Sequence, residues 1–446
     1  MEAKKKWDLI SVASIPLIMT LGNSMLIPIL PLIREKLHVT SFQVSLLITV
    51  YSIAAIILIP VAGFLSDRYG RKIVIIPSLI IAGIGGAVCG IAAWFMPNPY
   101  MTILLGRLLQ GIGAAGAAPV AMPLVGDMFV KESDVSSGLG IIETANTGGK
   151  VLSPILGSAL AALVWFLPFM AIPVFSLTSV LMVLFLVKKP QKSGNKVAGP
   201  DQNRSKAVSK AADKNGKPQA NSPKESGNTD GTPISLPVFL KDLKWIFSRK
   251  GRWLYAIFAI GCICMFLLFG VLFYLSELLE EKYNLHGILK GFVLAIPLTL
   301  LCLTSFITGK IIGQHKKRMK WLTFIGSLLS LGATLGCLPF NSLYGLLTML
   351  SLLGIGIGLA LPCLDAFITA GIDKAQRGTI SSFYSSMRFI GVAVGPPAVS
   401  VLLSRYPTIL FYVLGAACLL AAILALFAIH PSTDEEPRAK PEPSPA

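Results

Sequence analysis

The sequence predicts an all-α integral membrane protein, with twelve transmembrane helices in two pseudo-symmetric six-helix bundles. Three observations carry that expectation. The 446 residues are 54% hydrophobic and only 14% charged, whereas soluble domains carry about 25% charged residues. Uncharged runs such as Phe42 to Ala62 and Ile73 to Tyr100 recur along the chain, and as helices they reach across a ~30 Å hydrocarbon core. A polar tract from Lys188 to Pro233 divides these runs into two sets of six.

Spans are expected near residues 8–33, 41–65, 72–97, 101–126, 136–164 and 167–187, then near 253–276, 287–312, 320–340, 343–371, 378–404 and 407–430. The corresponding domains are an N-terminal bundle over 1–187, a cytoplasmic linker over 188–250, a C-terminal bundle over 251–430 and a tail over 431–446. The first part of the linker is too polar to offset its ordering entropy by burial, so disorder is expected there, as in the proline- and acid-rich tail. Within the linker, Phe239, Leu240, Leu243, Ile246 and Phe247 recur at helical spacing among basic residues. That pattern predicts a short amphipathic helix on the inner membrane surface.

A net charge of +17 would suggest nucleic acid in a soluble chain, but its distribution reads as topology. With the amino terminus inside, Arg34, Lys36, Lys282, Lys290 and Arg405 fall on the outer side, and Arg107, Lys150 and Arg388 lie deep. The rest of the 39 Lys and Arg residues fall on the inner side, as the positive-inside rule describes. Lys4, Lys5 and Lys6 precede a run of span length rather than the short core of a cleavable signal. The seven cysteines sit in expected spans without zinc spacing, so they read as small packing residues.

The stretch Gly63 to Lys72 is a charged turn between two uncharged spans. Its Gly63, Asp67, Arg68, Gly70, Arg71 and Lys72 resemble the signature loop of the major facilitator superfamily, which joins transmembrane helices two and three. Gly106-Arg107-Leu108-Leu109-Gln110-Gly111 resembles the fourth-helix motif, in which a membrane-buried arginine precedes a Gln-Gly pair. Met25 to Pro31 is similar to a first-helix motif of the drug-exporter branch. Gly149 to Ser158 resembles the fifth-helix motif of proton-driven drug exporters, with Ser153 and Ser158 at two glycine positions. Gln376 to Pro397 is similar to bacterial exporters of drugs and aromatic compounds, a branch that includes a catecholate-siderophore exporter.

The halves echo each other, as parallel repeats of this superfamily should. Gly309 and Lys316-Lys317-Arg318 follow Gly63 and Gly70-Arg71-Lys72, with Gly313 in place of Asp67. Gly391-x-x-x-Gly395-Pro396 follows Gly149-x-x-x-Ser153-Pro154, an echo that helix packing alone would explain.

A charge within a span costs ~2.5–3.5 kcal/mol on the insertion scale and normally faces a water-filled cavity or a partner. The expected spans hold few: Arg107, Glu143, Lys150, Asp365 and Arg388, with Asp127 at an inner end. Glu143 and Lys150 are two helical turns apart, about 10 Å along the axis, with Asn146 and Thr147 between them. That face should line a central cavity. Glu143 is the expected proton site, with Asp365 as runner-up and Arg107 as a further coupling residue; a structural Glu143–Lys150 pair bridged by water is the competing reading. Asn23, Asn146, Lys150, Tyr384 and Arg388 are the expected substrate-cavity residues. Cations outnumber acids at this depth, which suits an anionic or zwitterionic aromatic compound. The competing role for Arg107 and Arg388 is proton coupling or pairing with helix carbonyls. The resemblance implies that Gly63, Asp67, Gly70, Arg71 and Asp127 form a cytoplasmic latch of the outward-open state.

The expected function is a proton-coupled secondary exporter, an antiporter, of small amphipathic compounds such as drugs or a catecholate siderophore, working by alternating access. An importer or a lipid-linked glycan flippase of the same superfamily is the alternative, and a membrane receptor or scaffold a remote one. No P-loop, metal spacing or Ser/His/Asp arrangement in the polar segments points to an enzyme. No cofactor, metal or nucleic-acid partner is expected. The expected partners are a small-molecule substrate, protons and the lipid bilayer. The carrier is expected to be a monomer in a bacterial inner membrane, with both termini cytoplasmic.

Overall fold

Apolar runs of span length become helices because a backbone in hydrocarbon has to satisfy its own N–H and C=O groups. The computed structural model describes residues 3–128, 132–187, 251–313, 315–339, 342–371 and 374–429. The first span comprises α1 (Ala3–Ser24), a 3-10 turn (Ile27–Ile29) and α2 (Leu30–Leu37). The rest of the first half is α3 (Ser41–Tyr69), α4 (Arg71–Phe95), α5 (Tyr100–Met128), α6 (Glu132–Leu163) and α7 (Leu167–Phe185). The second half is α8 (Gly251–Glu281), α9 (Gly287–Ile312), α10 (Lys316–Gly336), α11 (Leu343–Gly371), α12 (Lys374–Arg405) and α13 (Pro407–Phe427). The described residues contain no strand. The expected amphipathic linker helix, the tail and the side chain of Asp127 lie outside the described residues.

Ten spans, counting α1 and α2 as one, are long and apolar enough to cross a membrane by length and composition. α6 and α10 are the more polar remainder. In α10 the buried Thr323, Ser327, Ser330 and Thr334 hydroxyls donate to the carbonyls of Met319, Thr323, Gly326 and Ser330 one turn earlier. Its polarity is thus absorbed by its own backbone. The polar positions of α6 belong to the site described below.

The twelve spans form two six-helix bundles, α1–α7 and α8–α13. Corresponding pairs pack alike: α6 on α1 in the first half, α12 on α8 in the second. Small residues allow this. A Cβ on Gly149 would press on the Leu17 carbonyl at 3.2 Å, and one on Gly391 would collide with the Cys262 carbonyl. The glycine echo therefore has a packing role in both halves. Across the bundles, α3 meets α12, α6 meets α9, and the first span meets α8.

Two expectations need correction. The first span is not one helix over 8–33: it breaks at residues 25–29 and resumes through Leu37. Pro28 and Pro31 carry no N–H to continue the ladder, and the Ile27 carbonyl accepts a 3.0 Å bond from the Ser276 hydroxyl of α8. The loop echo also has a different register. Gly70 ends α3 at φ 107° and Gly313 ends α9 at φ 54°, conformations that a side chain resists. Gly313 therefore corresponds to the turn residue Gly70 rather than to Asp67.

Gly391→Ala should lower the thermal midpoint of the detergent-purified protein, by the equivalent of about 1–3 kcal/mol for an overpacked contact. Gly332→Ala, at a helical glycine with nothing within 4 Å, should leave the midpoint unchanged or raise it slightly. Equal melting of Gly391→Ala and wild type would refute the assigned close contact.

Candidate functional site

Arg107 enters the N-terminal bundle from α5 and is 0% exposed. Its Nε donates to the Leu47 carbonyl at 2.9 Å, and Nη2 to Asn23 Oδ1 at 2.8 Å. Nη1 reaches the Gly22 carbonyl at 3.4 Å and also bonds Gln110 Oε1. The guanidinium lies 4.4 Å from the centre of the Tyr51 ring. Every one of these partners is neutral, so Arg107 ties α1, α3 and α5 together. Asn23 is turned onto this arginine. Of the competing readings for Arg107, pairing with helix carbonyls is the one this geometry displays.

The polar face of α6 runs from Glu143 to Lys150, as its spacing predicts. Thr147 Oγ1 donates to the Glu143 carbonyl at 2.6 Å and lies 3.4 Å from its Oε1. Asn146 Nδ2 reaches the same carboxylate at 3.4 and 3.5 Å, while Thr20 Oγ1 of α1 donates to Asn146 Oδ1 at 2.6 Å. Pro154 has no N–H for the Lys150 carbonyl one turn before it, and the Ser153 hydroxyl donates there at 2.9 Å instead. That substitution of serine for the motif's glycine thus satisfies a carbonyl that the following proline leaves open.

Lys150 is 9% exposed. Its ammonium makes no hydrogen bond or ion pair among the described residues, so the direct Glu143–Lys150 pair is not formed. From the second bundle, Asp365 of α11 and Arg388 of α12 interact electrostatically with Glu143 and Lys150. Arg388 Nη1 donates to Asp365 Oδ1 at 3.4 Å, and its guanidinium lies 5.5 Å from the Tyr384 ring centre. Glu143 and Lys150, two turns apart on α6, are thus both within electrostatic range of Asp365 and Arg388 of the second bundle, and Tyr384 lies beside Arg388. Asn23 and Arg107 belong to the interior of one bundle, linked to that interface through Tyr51, whose ring lies 6.3 Å from Phe389 of α12.

A cavity lies where α1 and α6 face α8 and α9. Ser24, Lys150 and Ser153 form its polar side, and Leu268, Phe269 and Leu298 stand opposite. Its volume of about 10 Å³ is roughly that of a single water site. Toward the end bearing Glu277 the bundles are sealed. Arg34 of α2 holds Glu277 at 2.7 Å and Glu281 at 2.8 Å, both on α8. Gly291 of α9 lies against the Pro154 carbonyl and Ile155 of α6. Glu277 is 1% exposed, and its Oε1 has no hydrogen-bond partner. At the opposite end Asp67 pairs with Arg71, Arg71 bonds the Ser66 hydroxyl at 2.7 Å, and Gly63 sits beside Ser382 of α12.

Sequence reasoning missed Arg34, Glu277 and Glu281. The signal was present as two acids at i, i+4 beyond the end drawn for the seventh span, facing an arginine beyond the first.

Two six-helix bundles meeting at a shared set of charged and polar side chains define a membrane carrier, not an enzyme. The chain belongs to the Major Facilitator Superfamily, whose family model matches residues 12–396 and 319–446. It is 51% identical over 430 residues to the bacillibactin exporter of Bacillus subtilis (strain 168), covering 96% of this chain and 98% of that one. Multidrug resistance protein 1 of the same organism is 27% identical over 173 residues, 39% of this chain and 43% of its own. Among solved structures, a bacterial homolog of the human lysosomal transporter Spinster, inward-facing and unoccupied, has a TM-score of 0.69 at 16% identity. That match covers 96% of this chain and 97% of the other. The human organic anion transporter MFSD10 has a TM-score of 0.67 at 18% identity, over 95% of this chain and 100% of the other. These two likenesses show the fold.

If Arg34 holds the Glu277 end closed, Arg34→Ala should speed labelling of a Ser276→Cys variant by a membrane-impermeant maleimide about 10-fold, in line with loss of a charge-assisted bond. Arg34→Lys should retain most of the protection. Unchanged labelling in Arg34→Ala would show that the pair is not what seals this end.

Proposed function

We propose that this protein is a proton-coupled antiporter that exports small amphipathic compounds, drugs or a catecholate siderophore among them, by alternating access. The observation that carries this reading is that Glu143 and Lys150 of one bundle lie within electrostatic range of Asp365 and Arg388 of the other. The name of the B. subtilis relative and the length of the match to it support export of a catecholate siderophore.

Glu143 is the proton site in this reading. Its side-chain hydrogen bonds are long, at 3.4 and 3.5 Å, so the ionised carboxylate depends on water. A charge that depends on water resists passage through a dry, closed interface. With a proton bound, the group passes. Asp365 is held beside Arg388 and is the second candidate. Arg107 contributes by fixing α1 and α3, and Asn23 by fixing Arg107. Asn146, Lys150, Tyr384 and Arg388 line the substrate path.

The basic bias of the loops orients the Asp67 end toward the cytoplasm, with both termini on that side of a bacterial plasma membrane. Gly63, Asp67, Gly70, Arg71 and Asp127 act there as the latch of the outward-open state; the Asp67–Arg71 pair and the close Gly63–Ser382 approach support this. The carrier works as a monomer, because its substrate path lies between two halves of one chain.

In inside-out vesicles with an acidic lumen, wild type should accumulate labelled bacillibactin. Glu143→Gln should lose gradient-driven accumulation while retaining bacillibactin counterflow, since exchange needs no proton. A Glu143→Gln protein that still concentrates the compound on the pH gradient would overturn the assignment of the proton site. Wild type that ignores the gradient would overturn proton coupling itself.

A further inference from the structure

Four cations that are buried or half-buried at the helix interfaces have direct partners. Arg107 has its neutral acceptors, Arg388 has Asp365, Arg34 has Glu277 and Glu281, and Lys290 has Glu280. Lys150 has no such partner among the described residues. The residue is nine-tenths buried and its ammonium makes no hydrogen bond or ion pair with any of them, an arrangement that is costly unless something else answers the charge. Glu143 and Asp365 attract it, but neither makes a hydrogen bond or ion pair with it. The Ser153 hydroxyl is committed to the Lys150 carbonyl, and the Glu143 carboxylate two turns away is shared between Asn146 and Thr147.

We infer that Lys150 is the charge-recognition residue of the substrate path, forming with Ser24 a subsite for one anionic group of an amphipathic ligand. The inference rests on the carrier function proposed above. The opposite wall fixes the rest of the ligand class: Leu268, Phe269 and Leu298 offer an apolar surface with no charge. A ligand with one carboxylate, sulfonate or phenolate and an aromatic body satisfies both sides. Its anion is held by the first bundle and its ring by the second, so binding favours their approach. A lipophilic cation meets the same apolar wall but is repelled by the ammonium. In the closed arrangement the cavity admits about one water, so the ligand enters when the bundles part. Charge selectivity then resides in one side chain of α6, separate from the proton carrier Glu143.

The test uses the detergent-purified full-length protein and a matched pair of probes, 2-naphthoate and neutral 2-naphthamide, with affinities from calorimetry at neutral pH. Wild type should prefer the naphthoate. Lys150→Gln should weaken naphthoate binding about 10-fold, the size of one charge-assisted bond, and leave the naphthamide within about twofold. Lys150→Arg should keep the preference, which a purely structural loss would not permit. Equal weakening of both probes, no change in naphthoate affinity, or a wild type that favours neither probe or binds neither would each overturn the inference. The vesicle experiment is read separately. An intact naphthoate preference without gradient-driven transport would refute the proton-driven exporter and leave this subsite standing.

Discussion

A charge inside hydrocarbon has to be answered by its neighbours, and the arrangement of this molecule follows from how each charge is answered. Arg107 is answered completely and by neutral groups: two carbonyls, two side-chain amides and the face of Tyr51. Nothing in that set changes charge with a proton or a ligand, so the residue fixes a bundle rather than switching it. Arg388 is answered by one carboxylate at 3.4 Å and an aromatic ring. Lys150 is attracted by Glu143 and Asp365 but bonded by no described group. The sequence runs from bundle interior to bundle interface, from permanent partners to exchangeable ones.

α6 is where packing and chemistry meet. Its glycines at 149 and 157 let it lie directly on α1, while Pro154 and Ile155, offset around the helix, receive Gly291 of α9 from the other bundle. One helix thus belongs firmly to the first bundle and also forms part of the seam with the second. Lys150 sits between those two faces, and Pro154 shapes its surroundings by removing an N–H that Ser153 replaces with a hydroxyl. Polar residues in α6 are for this reason not a defect in a span. They occupy a helix whose sides touch both its own bundle and the other.

Much of this was legible in the sequence, for physical reasons. Uncharged runs long enough for a bilayer identify spans, and an isolated Glu143, Lys150, Asp365 or Arg388 within such a run stands out because lipid would reject it. Partners are harder to read. The acceptors of Arg107 come from Gly22, Asn23 and Leu47, far along the chain, and no local spacing announces them. Glu277 escaped because an apolarity pattern ends a span at its first charge, whereas α8 continues as helix through Glu281. The echo of the signature loop misled in register because the basic residues were aligned instead of the positive-φ glycines, Gly70 and Gly313, on which the turns depend.

The two ends of the bundles touch through different physics, and that difference bears on which one responds to water. At the Asp67 end, the contact across the bundles at Gly63 and Ser382 is a close approach of small groups, which depends on shape and is little affected by solvent. At the Glu277 end the seal is ionic, with Arg34 holding two carboxylates of α8. Glu277 is nevertheless left with one buried oxygen lacking a hydrogen bond, a deficit of about 1–3 kcal/mol for a polar group. Opening that end breaks the arginine pair but lets water reach the unpartnered oxygen, so part of the loss is returned at once. The closed state is held by a strong contact and weakened by an adjacent flaw. A gate that has to open in every cycle needs that combination.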